Sequence, residues 1–180
     1  MAIEVKPYTL ELVDGVKQFN SRLRAGGSTR SFYEDCVSEW LPKERDREIF
    51  QEYFLAIEDD SIVRGGYVLK SQLFSVKGEV RSIGFISNPI SEGMVDKEYS
   101  LVPLQLIRSA LGRQPFLLAL GMGGNSYPLP VILMRLGWSL EEVPFYFRVV
   151  HANRFFNNIT YLRKNLARNI LFGLLGATGL

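Results

Sequence analysis

The chain has 180 residues, enough for one domain to bury a core of its own, and its 21 basic and 19 acidic residues nearly cancel. Nucleic-acid-binding proteins are typically strongly basic, and the net charge of +2 gives no reason to expect such a partner. Cys36 is the sole cysteine, and the sequence has neither a signal-peptide core nor a run of about 20 apolar residues, so we expect a cytoplasmic protein without an intramolecular disulfide or a transmembrane span.

The first elements are predicted to be a strand followed by two helices. Residues 3–8 alternate apolar and polar side chains and end at Pro7, which is typical of a short strand. Apolar residues then recur every three or four positions, as in an amphipathic helix, up to a stop at Gly26 and Gly27. A second helix is predicted to carry Phe32, Cys36, Trp40 and Leu41 before Pro42.

An antiparallel meander of three strands is predicted next, over residues 52–59, 61–76 and 79–87. Two turn-forming pairs separate these strands, Asp59 with Asp60 and Lys77 with Gly78. Gly65 and Gly66 lie inside the second strand. Because glycine weakens strand pairing, this pair indicates a bulge or a close backbone contact.

The last of these strands opens a β-α-β unit. A loop and a helix over residues 101–112 connect it to a second strand over residues 116–122. A crossover of this length makes the two strands parallel, and such crossovers are almost always right-handed. Ligands bind beyond the carboxyl ends of such strands, so the loops after Ser87 and Met122 are the predicted location of any chemistry. A Gly-Asn turn and a helix over residues 127–138 follow.

The C-terminal part is predicted to hold an aromatic-rich strand over residues 145–156 and then a helix that ends near Phe172. One face of this helix is apolar and another is basic. Such a helix could lie on an anionic membrane surface, but docking onto a neighbouring domain or subunit is favoured. We therefore expect a domain over residues 1–153 and a tail over residues 154–180 that links to a missing further domain.

The order strand, two helices, three antiparallel strands, helix, strand, helix, strand resembles that of the GNAT superfamily of acyl-CoA-dependent N-acyltransferases, over about residues 3–151. The segment YFLAIEDDSIVRGGYVL is similar to the family's second and third strands. The segment GGNSYPLPVILMRLGW is similar to its asparagine-led helix, with Leu136, Gly137 and Trp138 at the end. The resemblance implies an α/β fold in which a mixed sheet joins an antiparallel meander to a parallel β-α-β unit, with helices on both faces.

The resemblance also implies an enzyme that transfers an acyl group from acetyl-CoA or another acyl-CoA to a small-molecule or peptide amine. In such a site two parallel strands move apart, and their unpaired backbone groups take up the amides of the donor's pantetheine arm. The start of the next helix supplies N–H groups for the diphosphate. The residues that would bind the donor in this chain are Ile86, Ser87, Gly93, Met94, Lys97, Ser100 and Asn125.

The loop before residue 101 departs from the family pattern. Family members carry an arginine or glutamine followed by two closely spaced glycines, whereas this chain has Glu92 and one glycine, Gly93. Glu92 and Asp96 are expected to repel a diphosphate, and Lys97 offsets only part of their charge. Three accounts stay open: another donor such as an acyl-carrier protein, CoA held by the loop backbone and Lys97, or a degenerate half-domain that has lost its donor.

The catalytic residues depart from the pattern too. The resemblance places the general acid of the last helix at Leu133, which cannot donate a proton. Tyr127 could supply a hydroxyl if the register slips by a turn, the alternative being a packing role. His151, the only histidine, titrates in the right range for a general base and is expected at the end of the last strand, beside the cleft. Ser100 is expected to cap the helix that follows it.

Two functions of different class follow. The first is an N-acyltransferase with an unusual donor loop. The second is a non-catalytic GNAT-like module, one half of a tandem pair whose partner domain meets the C-terminal helix. The donor loop and Leu133 favour the second, and the β-α-β unit suits both. A peptide-forming transferase that uses aminoacyl-tRNA would need a basic groove, against which the balanced charge argues.

Overall fold

The computed structural model describes residues 3–36, 41–121, 124, 126–144, 146, 148, 150, 151 and 155. The chain divides into two compact units, Met1–Leu129 and Pro130–Leu180. In chain order the helices and strands are β1 (Ile3–Pro7), α1 (Val13–Ala25), β2 (Phe50–Glu58), β3 (Ile62–Val76), β4 (Glu79–Ser91), α2 (Val102–Arg113), β5 (Leu117–Leu118) and α3 (Pro128–Arg135).

The first unit is built on one sheet, in which the strands stand in the order β1-β2-β3-β4-β5. Neighbouring strands are antiparallel from β1 to β4. β5 is parallel to β4, as the crossover through α2 requires. The predicted α/β fold, an antiparallel meander followed by a parallel β-α-β unit, is confirmed.

Helices cover both faces of this sheet. Tyr53 and Leu55 of β2 belong to the same buried cluster as the inward residues of α1. Phe54, between them, points to the opposite face, because side chains alternate along a strand. There its ring stacks on Tyr67 at 5.2 Å, and the Tyr67 hydroxyl lies 3.1 Å from Oγ of Ser109 in α2. The two helices therefore bury the two faces of the same strands.

The turns of the meander need left-handed backbone angles. The φ angles are 48° at Asp59 and 62° at Asp60, and 53° at Lys77 and 87° at Gly78. Turns of this kind match the twist of the strands that they join. Gly27, with φ of 87°, ends α1 in the same left-handed region, where glycine has no steric cost. Both predicted turns and the predicted end of the first helix are confirmed.

The second predicted helix is wrong for the residues that the structure describes. None of residues 31–36 is helical, and residues 37–40 lie outside the described residues. Asn20 of α1 supplies the reason: its Nδ2 donates to the Phe32 carbonyl at 2.9 Å, and its Oδ1 accepts the Phe32 N–H at 2.8 Å. A helix would need those backbone groups for its own hydrogen bonds. The chain instead has no regular secondary structure there, and the Phe32 ring enters the core.

The two parallel strands also differ from their predicted limits. β4 does not end at Ser87 but continues to Ser91, because its last residues pair with Gly65 and Gly66 of β3. β5 is limited to two residues instead of the seven expected over 116–122. The predicted loop after Ser87 therefore begins only after Ser91.

The strand predicted over residues 145–156 is wrong for its described residues, because residues 146, 148, 150 and 151 lie in no strand. Tyr146 and Val150 are 87% and 75% exposed, so these side chains pack on no sheet. Phe155 is helical, but residues 152–154 and 156–180, which include the rest of the predicted tail, lie outside the described residues. Among the helices that the structure describes, none is long and apolar enough to cross a bilayer.

Candidate functional site

β4 and β5 pair over two residues only. Gly84 pairs with Leu117 and Phe85 with Leu118, and the Gly84 N–H donates to the carbonyl of Phe116 at 2.8 Å. β4 continues to Ser91, but within the described residues none of its positions beyond Phe85 pairs with β5. Among the described residues, the carboxyl half of β4 thus has no neighbouring strand on this edge, and its backbone groups there need other partners.

A bulge in β4 lies next to this opening. The register with β3 shifts between Gly66 and Val68, so Asn88 and Pro89 together stand opposite Tyr67. Asn88 has φ of 45°, and Pro89 has no N–H to give to a neighbouring strand. Because bulges bend a strand and increase its twist, this one accounts for the loss of pairing at the end of β4.

The loop between β4 and α2, residues 92–101, is called the β4–α2 loop below. It consists of two short 3₁₀ turns, Glu92–Met94 and Lys97–Tyr99. It also folds back on itself, since a Cβ on Gly93 would lie 2.5 Å from the carbonyl oxygen of Tyr99. Only glycine allows the start of the loop to approach its end this closely.

Several backbone donors of this loop make no hydrogen bond to the part of the chain that the structure describes. The N–H groups of Gly93, Met94 and Leu101 have no acceptor among the described residues. Leu101 is the N-cap of α2 and its side chain makes no capping bond, so the predicted capping role of Ser100 is wrong. The Ser100 N–H instead donates to the Lys97 carbonyl at 3.2 Å, which closes the second 3₁₀ turn. Within the described residues the loop therefore presents N–H groups without acceptors at the start of a helix, an arrangement suited to an anion.

Glu92 does not face the solvent, contrary to expectation. It is 5% exposed, and its carboxylate accepts hydrogen bonds from Nε of Arg22 at 2.7 Å and from Nη1 of Arg64 at 2.9 Å. Arg64 also donates to Glu58 at 2.8 Å. The two arginines neutralise the two glutamates, so the repulsion of a diphosphate expected from Glu92 is wrong. Asp96 remains exposed, and its side chain accepts the Glu98 N–H at 3.0 Å.

Arg64 stays charged in this cluster. Burial lowers its pKa, but hydrogen bonds to Glu92 and Glu58 outweigh that effect, so the pKa is raised above its ordinary value. The guanidinium also lies over the ring of Tyr99, 4.1 Å from its centroid. Burial raises the pKa of the Tyr99 hydroxyl, and the nearby Arg64 charge opposes that shift. Tyr99 is therefore a neutral ring packed on a cation.

The candidate donor-binding residues lie on the end of β4 and on the β4–α2 loop. Ile86 is buried and Ser87 is half-buried, both just past the last pair with β5. Met94 is 51% exposed. The side chains of Lys97 and Ser100 are also exposed. Asn125 lies outside the described residues.

The two candidate catalytic residues lie in different units. Tyr127, at the end of the first unit, immediately precedes α3, and its side chain is 60% exposed. Its N–H donates to the Gly124 carbonyl at 3.0 Å. His151, in the second unit, is exposed, and its carbonyl accepts the Phe155 N–H at 2.9 Å. The expectation that His151 ends a strand is wrong, because it lies in none.

Sequence reasoning missed three residues that shape the site: Arg22, Arg64 and Asn88. The Asn-Pro pair that contains Asn88 is a turn signal that could have indicated the bulge. Arg64 directly precedes the Gly65 and Gly66 pair, which could have indicated an irregular strand at that place. Arg22 carries no such signal, because its role depends on Glu92, 70 residues away.

A separate surface cavity of about 350 Å³ lies between α1 and the turn that joins β2 to β3. Its lining includes Glu11, Gly15, Asp60 and Ser61. Of the residues described above at the β4 edge and the β4–α2 loop, Arg22 alone lines it. Its mixed polar lining defines no chemistry, so it does not alter the placement of the candidate site at the β4 edge.

No protein-family model matches the sequence, and no curated protein matches it. Solved structures do share its architecture. An integron cassette protein from the mobile metagenome of V. cholerae is 16% identical, with a TM-score of 0.52 over 92% of this chain and 99% of its own. Glucosamine-6-phosphate N-acetyltransferase from Arabidopsis thaliana is 8% identical, with a TM-score of 0.51 over 82% of this chain and 99% of its own.

An aminoglycoside acetyltransferase from an uncultured soil metagenomic sample, in complex with sisomicin, is 13% identical, with a TM-score of 0.50 over 82% of this chain and 96% of its own. At such identities a structural likeness shows the fold alone. The strand order, the parallel pair that parts and these neighbours together define a protein of the GNAT fold. The resemblance predicted from the sequence is confirmed at that level.

Proposed function

We propose that the chain is an N-acyltransferase that moves an acyl group from acyl-CoA to an amine. The observation that carries this proposal is the end of pairing between β4 and β5 after Phe85, next to a loop with unused N–H groups. The open edge of β4 offers the amides of a pantetheine arm the hydrogen bonds that a neighbouring strand would otherwise make. The donor therefore replaces a strand at this edge.

The residues present fit such a donor. The backbone of Ile86 and Ser87 would hold the arm, and the N–H groups of Gly93 and Met94 would bind the diphosphate. Lys97, exposed on the same loop, would add a positive charge beside it. Because Glu92 is neutralised by two arginines, the start of the loop carries no free negative charge against the donor.

The reaction needs one bond formed and one broken. The nitrogen of a neutral amine attacks the thioester carbonyl carbon, the new C–N bond forms, and the C–S bond breaks. The amine loses a proton and the departing thiolate gains one. An acyl-carrier protein could present the same thioester arm, and a small-molecule or peptide amine is the proposed acceptor.

For the proton transfers we retain Tyr127 as the acid that protonates the thiolate and His151 as the base that receives the amine proton. Both side chains are exposed, so each can exchange a proton with a bound substrate or with water. In an active preparation, Tyr127→Phe and His151→Gln are each expected to lower kcat by about 100-fold, the usual contribution of a general acid or base. Full activity in either variant would remove that residue from the mechanism.

A non-catalytic module is the second candidate function. The exposed charges of the β4–α2 loop favour it, because Asp96 and Glu98 outnumber Lys97. A net negative loop attracts a diphosphate poorly, even where the backbone donors are free. A chain of this kind would keep the fold and bind no donor.

Thermal-shift and calorimetric titrations with acetyl-CoA, a long-chain acyl-CoA and free CoA separate the two functions. A ligand present at 100 times its Kd stabilises the fold by about 2.7 kcal/mol, which is readily measured as a rise in Tm. The transferase proposal expects such a rise with at least one of these ligands. No rise in Tm and no heat of binding with any of them would refute the CoA-dependent transferase.

Two glycine variants localise the binding. Gly93→Ala places a methyl group against the Tyr99 carbonyl and is expected to distort the loop and weaken CoA binding. Gly112→Ala is the matched control, since a Cβ there meets no atom within 4 Å. Equal affinity of both variants for CoA would place the donor elsewhere on the protein.

A further inference from the structure

Arg64 reaches the β4–α2 loop because of a bulge in β3. The register between β2 and β3 shifts at this point: Ala56 pairs with Gly65, and Ile57 pairs with Val63, which leaves Arg64 as the extra residue. A bulged residue escapes the strict alternation of a strand, so its side chain can be aimed at a new target. The bulge in β3 thus directs the Arg64 side chain toward the β4–α2 loop.

That side chain contacts both ends of the loop. Its Nη1 donates to Glu92, the first residue of the loop, at 2.9 Å, and its Cζ lies 4.1 Å from the ring centroid of Tyr99, near the loop's end. Its Nε is fixed by Glu58 at the end of β2, at 2.8 Å. Only 13% of the Arg64 side chain is exposed, so these contacts are made away from water.

The N–H groups without an acceptor among the described residues lie next to these two contacts. Gly93 and Met94 follow Glu92 directly, and Leu101 comes two residues after Tyr99. Three groups contact the guanidinium: the carboxylates of Glu58 and Glu92 and the ring of Tyr99. A lysine ammonium would keep the charge, but it lacks the separate Nε and Nη1 donors and the delocalised group that make these three contacts together.

From this geometry we infer that Arg64 is a positioning residue for the acyl donor: it joins the two ends of the β4–α2 loop and so holds the loop's N–H groups in their binding arrangement. It touches no donor atom itself. The inference rests on the proposed function, since it assigns a role in donor binding. This role explains three features together: the bulge at Arg64, the burial of Glu92 and the packing of the Tyr99 ring against the guanidinium.

The test compares the full chain with Arg64→Met, Arg64→Lys and the control Arg81→Met. Arg81 is a good control because it also pairs with a glutamate, Glu79 at 2.6 Å, and lies over a ring, Phe116 at 5.4 Å, but is 45% exposed and at the opposite end of β4. Two quantities are measured well below each variant's Tm: the Kd for free CoA, and hydrogen exchange of the amides of residues 92–101.

Arg64→Met is expected to weaken CoA binding about tenfold and to speed exchange of the loop amides by a similar factor, with Arg81→Met unchanged in both. Arg64→Lys is expected to regain most of the lost Tm but not the lost affinity, because it restores the charge and not the three guanidinium contacts. A purely structural role would lower Tm and leave the affinity of the folded protein unaltered. Affinity and exchange that stay at the wild-type values in folded Arg64→Met would overturn the inference.

If Arg64→Met does not fold, Tyr99→Leu takes its place, since it removes only the ring and leaves the charges paired. Weaker CoA binding with faster exchange confined to the loop supports the inference, and unchanged values overturn it. Failure of the proposed function looks different: the wild type itself then binds no CoA. In that case faster loop exchange in the Arg64 variants still supports the loop-holding role, and unchanged exchange refutes it.

Discussion

Replacing Glu92 by leucine is expected to destabilise the fold far more than the loss of a surface ion pair would. The Glu92 side chain is 6% exposed and pairs with Arg22 at 2.7 Å and with Arg64 at 2.9 Å. Without Glu92, the buried guanidinium of Arg64 has Glu58 as its one remaining carboxylate partner among the described residues. Breaking a buried pair from one side costs about 3–5 kcal/mol in general. Since Arg22 is 33% exposed and can regain water, we expect the lower end of that range, about 3 kcal/mol.

Urea unfolding measures this loss as a change in the free energy of unfolding. Glu79→Leu is the matched control, because Glu79 pairs with Arg81 at 2.6 Å but is 68% exposed, and such a surface pair contributes at most about 1 kcal/mol. A double-mutant cycle with Arg64→Met isolates the direct interaction, for which we expect about 2 kcal/mol. Similar small losses in Glu92→Leu and Glu79→Leu, or a coupling energy near zero, would refute the reasoning.

Three further predictions concern the first unit. Burial raises the pKa of the Tyr8 hydroxyl from 10.0 to about 12, so the neutral phenol stabilises the fold below pH 10 and that contribution is lost as the pH rises toward 12. Unfolding followed across this window should show a smaller loss in Tyr8→Phe than in the wild type, and equal losses would contradict the assignment. Gly65→Ala is expected to cost about 2 kcal/mol in thermal unfolding, because its Cβ would lie 2.8 Å from the Ile90 carbonyl oxygen. Gly112→Ala, in open space within a helix, should be neutral or stabilising, and an equal cost for both would argue against the close contact. Asn20→Ala leaves two backbone groups without their partner and is expected to cost about 2 kcal/mol in urea, whereas a loss within error would show that other contacts hold that segment.

Local signals in the sequence predicted most of the sheet. Asp59 with Asp60 and Lys77 with Gly78 fixed the two turns of the meander, because few residue pairs accept their backbone angles. The apolar residues of α1 recur every three or four positions and glycines follow its last turn, so that local pattern predicted the helix. The glycine pair in β3 indicated a bulge, and the bulge is there.

The rest depends on contacts between distant parts of the chain. β4 continues past Ser87 because Ile90 and Ser91 find partners in β3, which the Asn-Pro pair alone would not indicate. From the sequence, Glu92 was expected to repel a diphosphate. In the structure it is buried, and its carboxylate accepts hydrogen bonds from Arg22 and Arg64. Ion pairs of this separation leave no periodic signal. The site is therefore less predictable than the fold that carries it.

The central claim is that an acyl donor occupies the open edge of β4. A nuclear magnetic resonance titration of the isotope-labelled full chain with CoA tests it most directly, residue by residue. The account predicts that the largest amide shifts fall on residues 86–88, 90 and 91 of β4 and on the amides of Gly93, Met94 and Leu101. An absence of shifts, or shifts confined to the cavity near Glu11, would contradict it.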